Sequence, residues 1–119
     1  MAKTAWTGIS VLDSYYNGSV SSTNLTVNAS PTLIQTISVL NATSAEAYLF
    51  LYDLAIGDVT VGTTVPNLIF GVEAGGNPHY VFPKPIYFKT GLVVASATAR
   101  DGDSAAIQEV SITYAAGVA

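Results

Sequence analysis

The chain has no cysteine and very few charged residues. Only 12 of its 119 residues are Asp, Glu, Lys or Arg, less than half of the usual share of about 25%. Without cysteine there are no disulfide bonds, thiolate metal sites or thiol redox chemistry. Apolar residues still make up 50% of the sequence, which is not the composition of a disordered chain. We therefore expect a single folded domain, residues 1–119, that buries its own core without disulfide staples.

Long apolar runs and clusters of basic residues are also missing. The longest apolar runs, such as YLFLY, fall far short of the roughly 20 residues that span a membrane. The four basic residues are scattered along a chain of net charge −4, whereas nucleic-acid phosphates are bound by clustered Lys and Arg. The N-terminus has no apolar segment typical of a secretory signal. We expect neither a membrane nor nucleic acid as a partner, and we expect a protein that is not secreted.

Motifs for catalysis and metal binding are scarce. His79 is the only histidine, so a zinc site would have carboxylates alone as further ligands. We interpret His79 as a loop or strand-edge residue without a catalytic role. The run DGDS at 101–104 lacks the remaining ligands of a calcium loop, and we predict a surface turn there. The sequence therefore predicts a protein that is not an enzyme and that holds no metal or cofactor.

Four Asn-x-Ser/Thr triplets occur in the chain. Such triplets are glycosylated only in proteins that pass through a secretory pathway. Since no secretory signal is visible, we interpret them as exposed turns. The four asparagines are Asn17, Asn24, Asn28 and Asn41.

The prevailing pattern is that of β-structure. Eight or nine short apolar runs follow one another at intervals of about 8–12 residues and are separated by Gly, Pro, Asn and Asp. The run IQEVSITY alternates clearly and places Val110, Ile112 and Tyr114 on one face. The run NGS at 17–19 indicates a turn, and the prolines of FPKP exclude a central strand. We predict an all-β fold, an antiparallel two-sheet jelly roll of about eight strands, with an immunoglobulin-like sandwich as the alternative.

One stretch, EAYLFLYDL at 46–54, is apolar on both faces of the predicted strand. Leu49 and Leu51 would lie on one face, and Tyr48, Phe50 and Tyr52 on the other. A strand with one wet face should alternate apolar with polar residues. A second covering layer is therefore required. The shortage of charge favours a surface covered by other protein, although a neutral coat of Ser, Thr and Asn is the alternative.

Aromatic residues form the most suggestive constellation. Tyr, Trp and Phe are enriched at protein interfaces, but they also serve in cores and as platforms for sugars. We predict a protein interface, with ordinary core packing and a sugar platform as alternatives. The predicted interface residues are Trp6, Tyr48, Phe50, Tyr52, His79, Tyr80 and Phe82.

Residues 41–115 resemble small structural proteins of tailed bacteriophages. The resemblance is carried by AYLFLYD, VGTTVPNLIF, a GG turn, FPKPIYFKTGLVVASAT and a final VSITY strand. It covers about the last two-thirds of the chain. In that family the position of Phe50 is more often charged. An apolar residue there fits a face that is more deeply covered.

The resemblance implies a jelly-roll module of the capsid decoration, or cement, type. Such a protein would be made in the host bacterial cytoplasm and would then join the virion at the capsid surface. Its partners would be the major capsid protein and further copies of itself, in a homotrimer. Residues 1–30 would be first strands or an arm that contacts neighbours. The alternative is a tail-fibre tip, or a module that binds a receptor or carbohydrate.

Overall fold

The computed structural model describes residues 12–100 and 102–116. These residues contain one short 3₁₀ turn, Ile56–Asp58, and no α-helix. The expectation of an all-β chain is confirmed. The eight strands are β1 (Asp13–Val20), β2 (Leu25–Asn28), β3 (Thr32–Leu40), β4 (Ala47–Tyr52), β5 (Leu68–Val72), β6 (His79–Phe88), β7 (Leu92–Ala97) and β8 (Gln108–Ala116).

The strands form two antiparallel four-stranded sheets. Sheet 1 has the order β1-β8-β3-β6, and sheet 2 has the order β2-β7-β4-β5. The first strand pairs with the eighth, the second with the seventh, the third with the sixth and the fourth with the fifth. The chain is thus a long hairpin rolled into two layers, which is the jelly roll predicted from the sequence.

A single apolar core lies between the two sheets. Leu49 and Leu51 of β4 meet Val110 and Ile112 of β8 there, and all four side chains are fully buried. Phe70 of β5 is half-buried and packs against the same core. The spacing of apolar residues in the sequence, which in PNLIFGVE places Phe70 on the inward face, predicts all five of these positions inside, and the structure confirms them. Each fully buried side chain of this size stabilises the fold by about 1.5–3 kcal/mol.

Two local expectations need correction. The run at 17–19 is not a turn but a bulge within β1, because the register shifts between Asn17 and Val20. The Asn17 side-chain oxygen accepts a hydrogen bond from the Ser19 amide at 2.8 Å. The two short runs around FPKP belong to one edge strand, β6, in which residues 82–85 bulge out opposite Gln35. The exclusion of a central strand there is confirmed, since edge strands tolerate proline.

Strand β7 is buried along its whole length. Its Leu92 and Val94 belong to the core between the sheets, whereas Val93 and Ala95 belong to a second apolar cluster on the outer face of sheet 2. Sheet 2 is therefore covered on both faces, which raises the question of what lies outside it.

Candidate interaction surfaces

The chain itself covers the outer face of sheet 2. Residues 53–67, which connect β4 to β5 and are called the covering segment below, pack Val59, Leu54 and Val61 onto this face. Beneath them, the exposed fraction of the side chain is 1% for Phe50 and 0% for Tyr52. The two rings meet edge to face, with centroids 6.3 Å apart. A third layer thus lies outside the sandwich on this side.

Hydrogen bonds hold the covering segment in place. The Asn24 side chain donates to the carbonyl oxygens of Ile56 and Val59, at 3.1 and 3.0 Å. At the start of the segment, the Asp53 carboxylate accepts the amides of residues 89, 90 and 91, at 3.0, 2.7 and 3.3 Å. At its end, the Asn67 amide donates to the Leu51 carbonyl oxygen of β4 at 2.8 Å, and the Asn67 side-chain oxygen accepts the Asp53 amide at 2.7 Å. Both ends are therefore tied to the sandwich.

This arrangement corrects the predicted interface at Phe50 and Tyr52. The sequence requires a cover on this face, but the cover is the chain's own segment and not a neighbouring subunit. Neither side chain presents surface to a partner. Tyr48, at the margin of the same face, is only half-buried.

A cavity of about 670 Å³ opens at that margin, between the covering segment and the turn that follows β7. The Tyr48 hydroxyl donates to Glu46 at 2.9 Å, and the Arg100 guanidinium carbon lies 5.8 Å from the Tyr48 ring centroid. The hydrogen bond to Glu46 is the main cause that raises the pKa of Tyr48. The cavity is lined by Tyr48, Phe50, Tyr52, Ile69, Arg100, residues 62–66, Thr98, Ala99 and Gly102.

Tyr52, in the wall of this cavity, carries a buried hydroxyl that makes no hydrogen bond with the described residues. Burial raises the pKa of this phenol above its ordinary value. A buried hydroxyl without a partner costs free energy that the fold must supply elsewhere.

The outer face of sheet 1 is different, because no described segment packs over it. Its outward positions lie in cross-strand rows, and one row runs Tyr16, Ser111, Ser38, His79 across all four strands. The next row runs Ser14, Thr113, Thr36, Val81. The Thr36 and Thr113 hydroxyls hydrogen-bond to each other at 2.5 Å. The centre of the face is thus made of hydroxyl-bearing side chains.

Apolar and aromatic side chains flank these hydroxyls. The exposed fraction is 65% for Tyr16, 57% for Val81 and 49% for Tyr87. Apart from tyrosine, the only ionisable side chain at the outward positions of these two rows is His79. The neighbouring outward pair, Leu40 and Glu109, adds one carboxylate. The Tyr16 hydroxyl donates to Glu109 at 2.8 Å, which raises the pKa of Tyr16. The face is broad and nearly uncharged.

His79 lies on this face at the start of the edge strand β6, and its exposed ring hydrogen-bonds through Nδ1 to the Ser38 hydroxyl. In Ser–His–Asp triads the nucleophile lies against Nε2, and a carboxylate holds Nδ1. The pair on this sheet has the opposite arrangement. It is better described as a cross-strand polar contact, in keeping with the strand-edge interpretation.

The remaining predicted interface residues lie in other surroundings. Tyr80 and Phe82 are half-buried and pack against the core from the edge of sheet 1, with the Tyr80 ring centroid 4.8 Å from that of Phe70. Trp6 lies outside the described residues. Of the six predicted residues that the structure describes, only His79 therefore lies on the open outer face of sheet 1. The predicted interface residues did not include the exposed Tyr16, Val81 and Tyr87. They lie on strands distant in sequence, and only the strand register shows that they share the outer face of sheet 1.

The interpretation of the asparagine triplets as exposed turns is wrong for Asn17 and Asn28, which lie half-buried within β1 and β2, and most clearly wrong for Asn41. Its side chain is fully buried and donates to the carbonyl oxygens of Ala45, Val72 and Glu73 at 2.9–3.1 Å. Its side-chain oxygen accepts from the amide and hydroxyl of Thr43. The residue is a structural hub.

Within residues 12–100 and 102–116 there is no group of three or more His, Cys, Asp or Glu side chains placed to hold a metal ion. The same residues include no helix with the length and apolar character needed to cross a membrane.

A scan against models of known protein families gives no match, and no curated protein is significantly similar in sequence. The described residues define an eight-stranded jelly roll in which the chain covers the outer face of sheet 2, and no described segment covers the outer face of sheet 1.

Proposed function

We propose that the protein is a virion structural protein of the capsid decoration type. It binds the outer capsid surface and stabilises contacts between capsomers. Its partners are the major capsid protein and further copies of itself, assembled as a homotrimer, and it reaches the virion after synthesis in a host bacterial cytoplasm. The observation that supports this best is the open, nearly uncharged outer face of sheet 1.

An uncharged face suits contact with another protein. Burying a charge without a partner costs several kcal/mol, whereas a hydroxyl that finds a hydrogen bond in the interface costs little. The rows of Ser and Thr offer such hydrogen bonds, and Tyr16, Val81 and Tyr87 add apolar area at the sides. This is the composition of an interface core with polar groups that can be satisfied.

The size of the face indicates that one copy binds weakly alone. Four strands about 4.8 Å apart, with about 3.3 Å of rise per residue over β3, give an area of roughly 600 Å². A standard interface buries about 800 Å² per partner. Several linked copies on neighbouring capsomers would raise the overall affinity without any new type of contact. Bridging of this kind raises the cost of separating the capsomers. The likeness of residues 41–115 to tailed-phage structural proteins supports the same function.

A matched pair of substitutions tests the proposal. Val81→Glu places a carboxylate on the outer face of sheet 1, and Val65→Glu places the same carboxylate on the covering segment, where Val65 is 83% exposed. We expect Val81→Glu to weaken binding to purified capsids by about tenfold or more, because the new charge loses its water in the contact. Val65→Glu should bind like the wild type. Co-sedimentation measures the binding, and electron microscopy of the particles locates the bound protein.

Two outcomes would contradict the decoration function. One is a wild-type protein that neither co-sediments with capsids nor forms density on them. The other is equal binding by both variants, which would move the contact away from sheet 1. Density at the tail or fibre tip would instead support the alternative function.

That alternative is a tail-fibre tip, or a module that binds a receptor or carbohydrate. The cavity beside Tyr48 favours it, because its volume of about 670 Å³ lies in the range of ligand pockets, about 300–1,000 Å³. The exposed side chains of Arg100 and Thr98 at its rim supply polar groups for a hydroxylated ligand. Binding of the wild type to a glycan array, lost in Arg100→Ala, would favour this alternative over the decoration function.

A further inference from the structure

We propose that β1, whose outer edge pairs with no described strand, pairs antiparallel with β1 of a second copy of this chain and so joins the two copies of sheet 1. The inference rests on the proposed function only in naming a further copy as the partner, and this two-fold contact is separate from the contacts that close the trimer. The observations that carry it concern the four edge strands of the sandwich and the distribution of charge along the chain.

The four edges differ in how well they are protected. Natural edge strands avoid unwanted pairing by being short, bulged, charged or interrupted by proline. Strand β6 has Pro83, Lys84 and Pro85 in a bulge. Strand β2 has only four residues, with a register shift. Strand β5 matches the regular part of β1 in length, but the carboxylates of Glu46 and Glu73 lie beside its last residues, Gly71 and Val72. These three edges are therefore poorer templates than β1 for a strand of another acidic chain.

Strand β1 lacks most of this protection. It hydrogen-bonds to β8 on one side, and no described strand lies on its other side. Residues 13–17 pair with β8 in unbroken register before the bulge. They contain no proline or lysine. Along the side of these five residues that faces away from β8, the backbone donors and acceptors therefore have no strand partner among the described residues, and another strand satisfies such groups best.

The distribution of charge points to a copy of the same chain. Two copies of net charge −4 repel each other unless they meet where charges are absent. Residues 14–45 contain no Asp, Glu, Lys, Arg or His. This stretch supplies most of β1, all of β2 and all of β3. Contact along the β1 edge would thus bury no charge from β1 beyond Asp13 at its start.

Strand addition at β1 also agrees with the open face of sheet 1. A strand added at this edge extends the sheet laterally, so that the outer faces of two copies continue one another. The exposed Tyr16 lies on that outer face at the edge, where it can contact the added strand. A doubled face would exceed the area of a standard interface, about 800 Å² per partner.

A matched pair of tyrosine substitutions tests whether two copies associate through the β1 edge. Tyr16→Lys places a lysine on β1, and Tyr87→Lys makes the same change on β6, the opposite edge of the same sheet. Lysine is a common device against edge pairing, and at position 16 it can still pair with Glu109, so the fold should persist. We expect the wild type to sediment with a mass of at least two chains, where one chain has a mass of 12.3 kDa. Tyr16→Lys should weaken self-association by about tenfold or more, and Tyr87→Lys should leave it unchanged.

Hydrogen exchange supplies a second readout that is specific to strand pairing. Amides of β1 that point away from β8 should become protected as the protein concentration rises, while those at the outer edge of β6 should not. A wild type that stays monomeric at every concentration overturns the inference, as does association that survives in Tyr16→Lys. Neither measurement uses a capsid. Particle binding by a monomer would therefore leave the decoration function standing while the β1 inference failed.

Discussion

At the residue scale, Asn41 illustrates what a sequence pattern cannot reveal. It was recognised as part of a triplet typical of exposed turns, yet its side chain is buried and bonds to residues as far away as Glu73. The hydrogen bonds join the β3–β4 connection to the end of β5. A buried amide of this kind is identified by its partners in space, and no local signal in the sequence contains them.

The buried hydroxyl of Tyr52 leads to a prediction about stability. In Tyr52→Phe the unpartnered hydroxyl is removed while the ring stays, so we expect the free energy of unfolding at neutral pH to rise by about 1 kcal/mol. Thermal or urea unfolding of the two proteins measures the difference. A variant less stable than the wild type would contradict this, since it would mean that the hydroxyl has a partner such as a buried water.

The same substitution changes the response to alkali. Burial raises the pKa of Tyr52 above its ordinary value, so the folded state favours the neutral phenol. The resulting stability is fully present below the ordinary tyrosine pKa, about 10, and is lost as the pH rises towards and through the folded-state pKa. We expect Tyr52→Phe to lose less stability than the wild type over this range. The difference between the two proteins isolates Tyr52 from Tyr16, Tyr48 and Tyr114, whose pKa values are also raised.

At the scale of elements, the strands could be predicted but their cover could not. Strands show a two-residue period, and the inward faces of β4 and β8 follow from that period alone. The apolar outer face of β4 was also recognised. Its cover is a connection of irregular structure, anchored by Asn24 and Asp53 through contacts distant in sequence. A connection without periodicity gives no sequence signal for the face onto which it packs.

The substitution Phe50→Glu distinguishes two explanations of the apolar outer face of β4: a cover formed by the chain's own segment, and a cover formed by a neighbouring subunit. Because Phe50 is 1% exposed beneath the covering segment, we expect the buried carboxylate and the lost ring to destabilise the subunit by about 3 kcal/mol or more. Val65→Glu, on the surface of the same segment, should change the free energy of unfolding by less than about 0.5 kcal/mol. Urea unfolding measures both.

A Phe50→Glu protein that keeps its wild-type unfolding midpoint but no longer self-associates would contradict this prediction. That result would restore the neighbouring subunit as the cover of sheet 2. The covering segment would then have to be displaced in the assembled protein.

At the scale of the whole molecule, the number of strands and the jelly roll were predictable, whereas the open face was not. Turn residues and alternation limit an all-β chain of this length to a few architectures. The face of sheet 1, however, is assembled from β1, β3, β6 and β8. Each of these strands contributes two or three outward residues to it, and the register that aligns them is a property of the folded sheet.

The scarcity of charge on that face leads to a prediction about salt. If the contact with capsids is made through sheet 1, its affinity should change little between low and molar salt, because salt screens charge pairs and leaves hydroxyl and apolar contacts nearly intact. Co-sedimentation across a salt series measures this. A steep loss of binding with salt would indicate that the charged ends of the molecule make the contact.

The pairing of the strands in the rolled hairpin also determines the order in which they can fold. Asp13 pairs with Tyr114, whereas Leu51 of β4 pairs with Leu68 of β5 across the covering segment, the shortest connection between any two of the paired strands described. Closing a longer loop costs more entropy, and sheets built from such distant pairings fold slowly. We therefore expect folding to begin at the β4–β5 hairpin and to finish when β8 inserts between β1 and β3. During synthesis on the ribosome, sheet 1 is incomplete until β8 has emerged, so copies can join along β1 of a finished sheet only after that point.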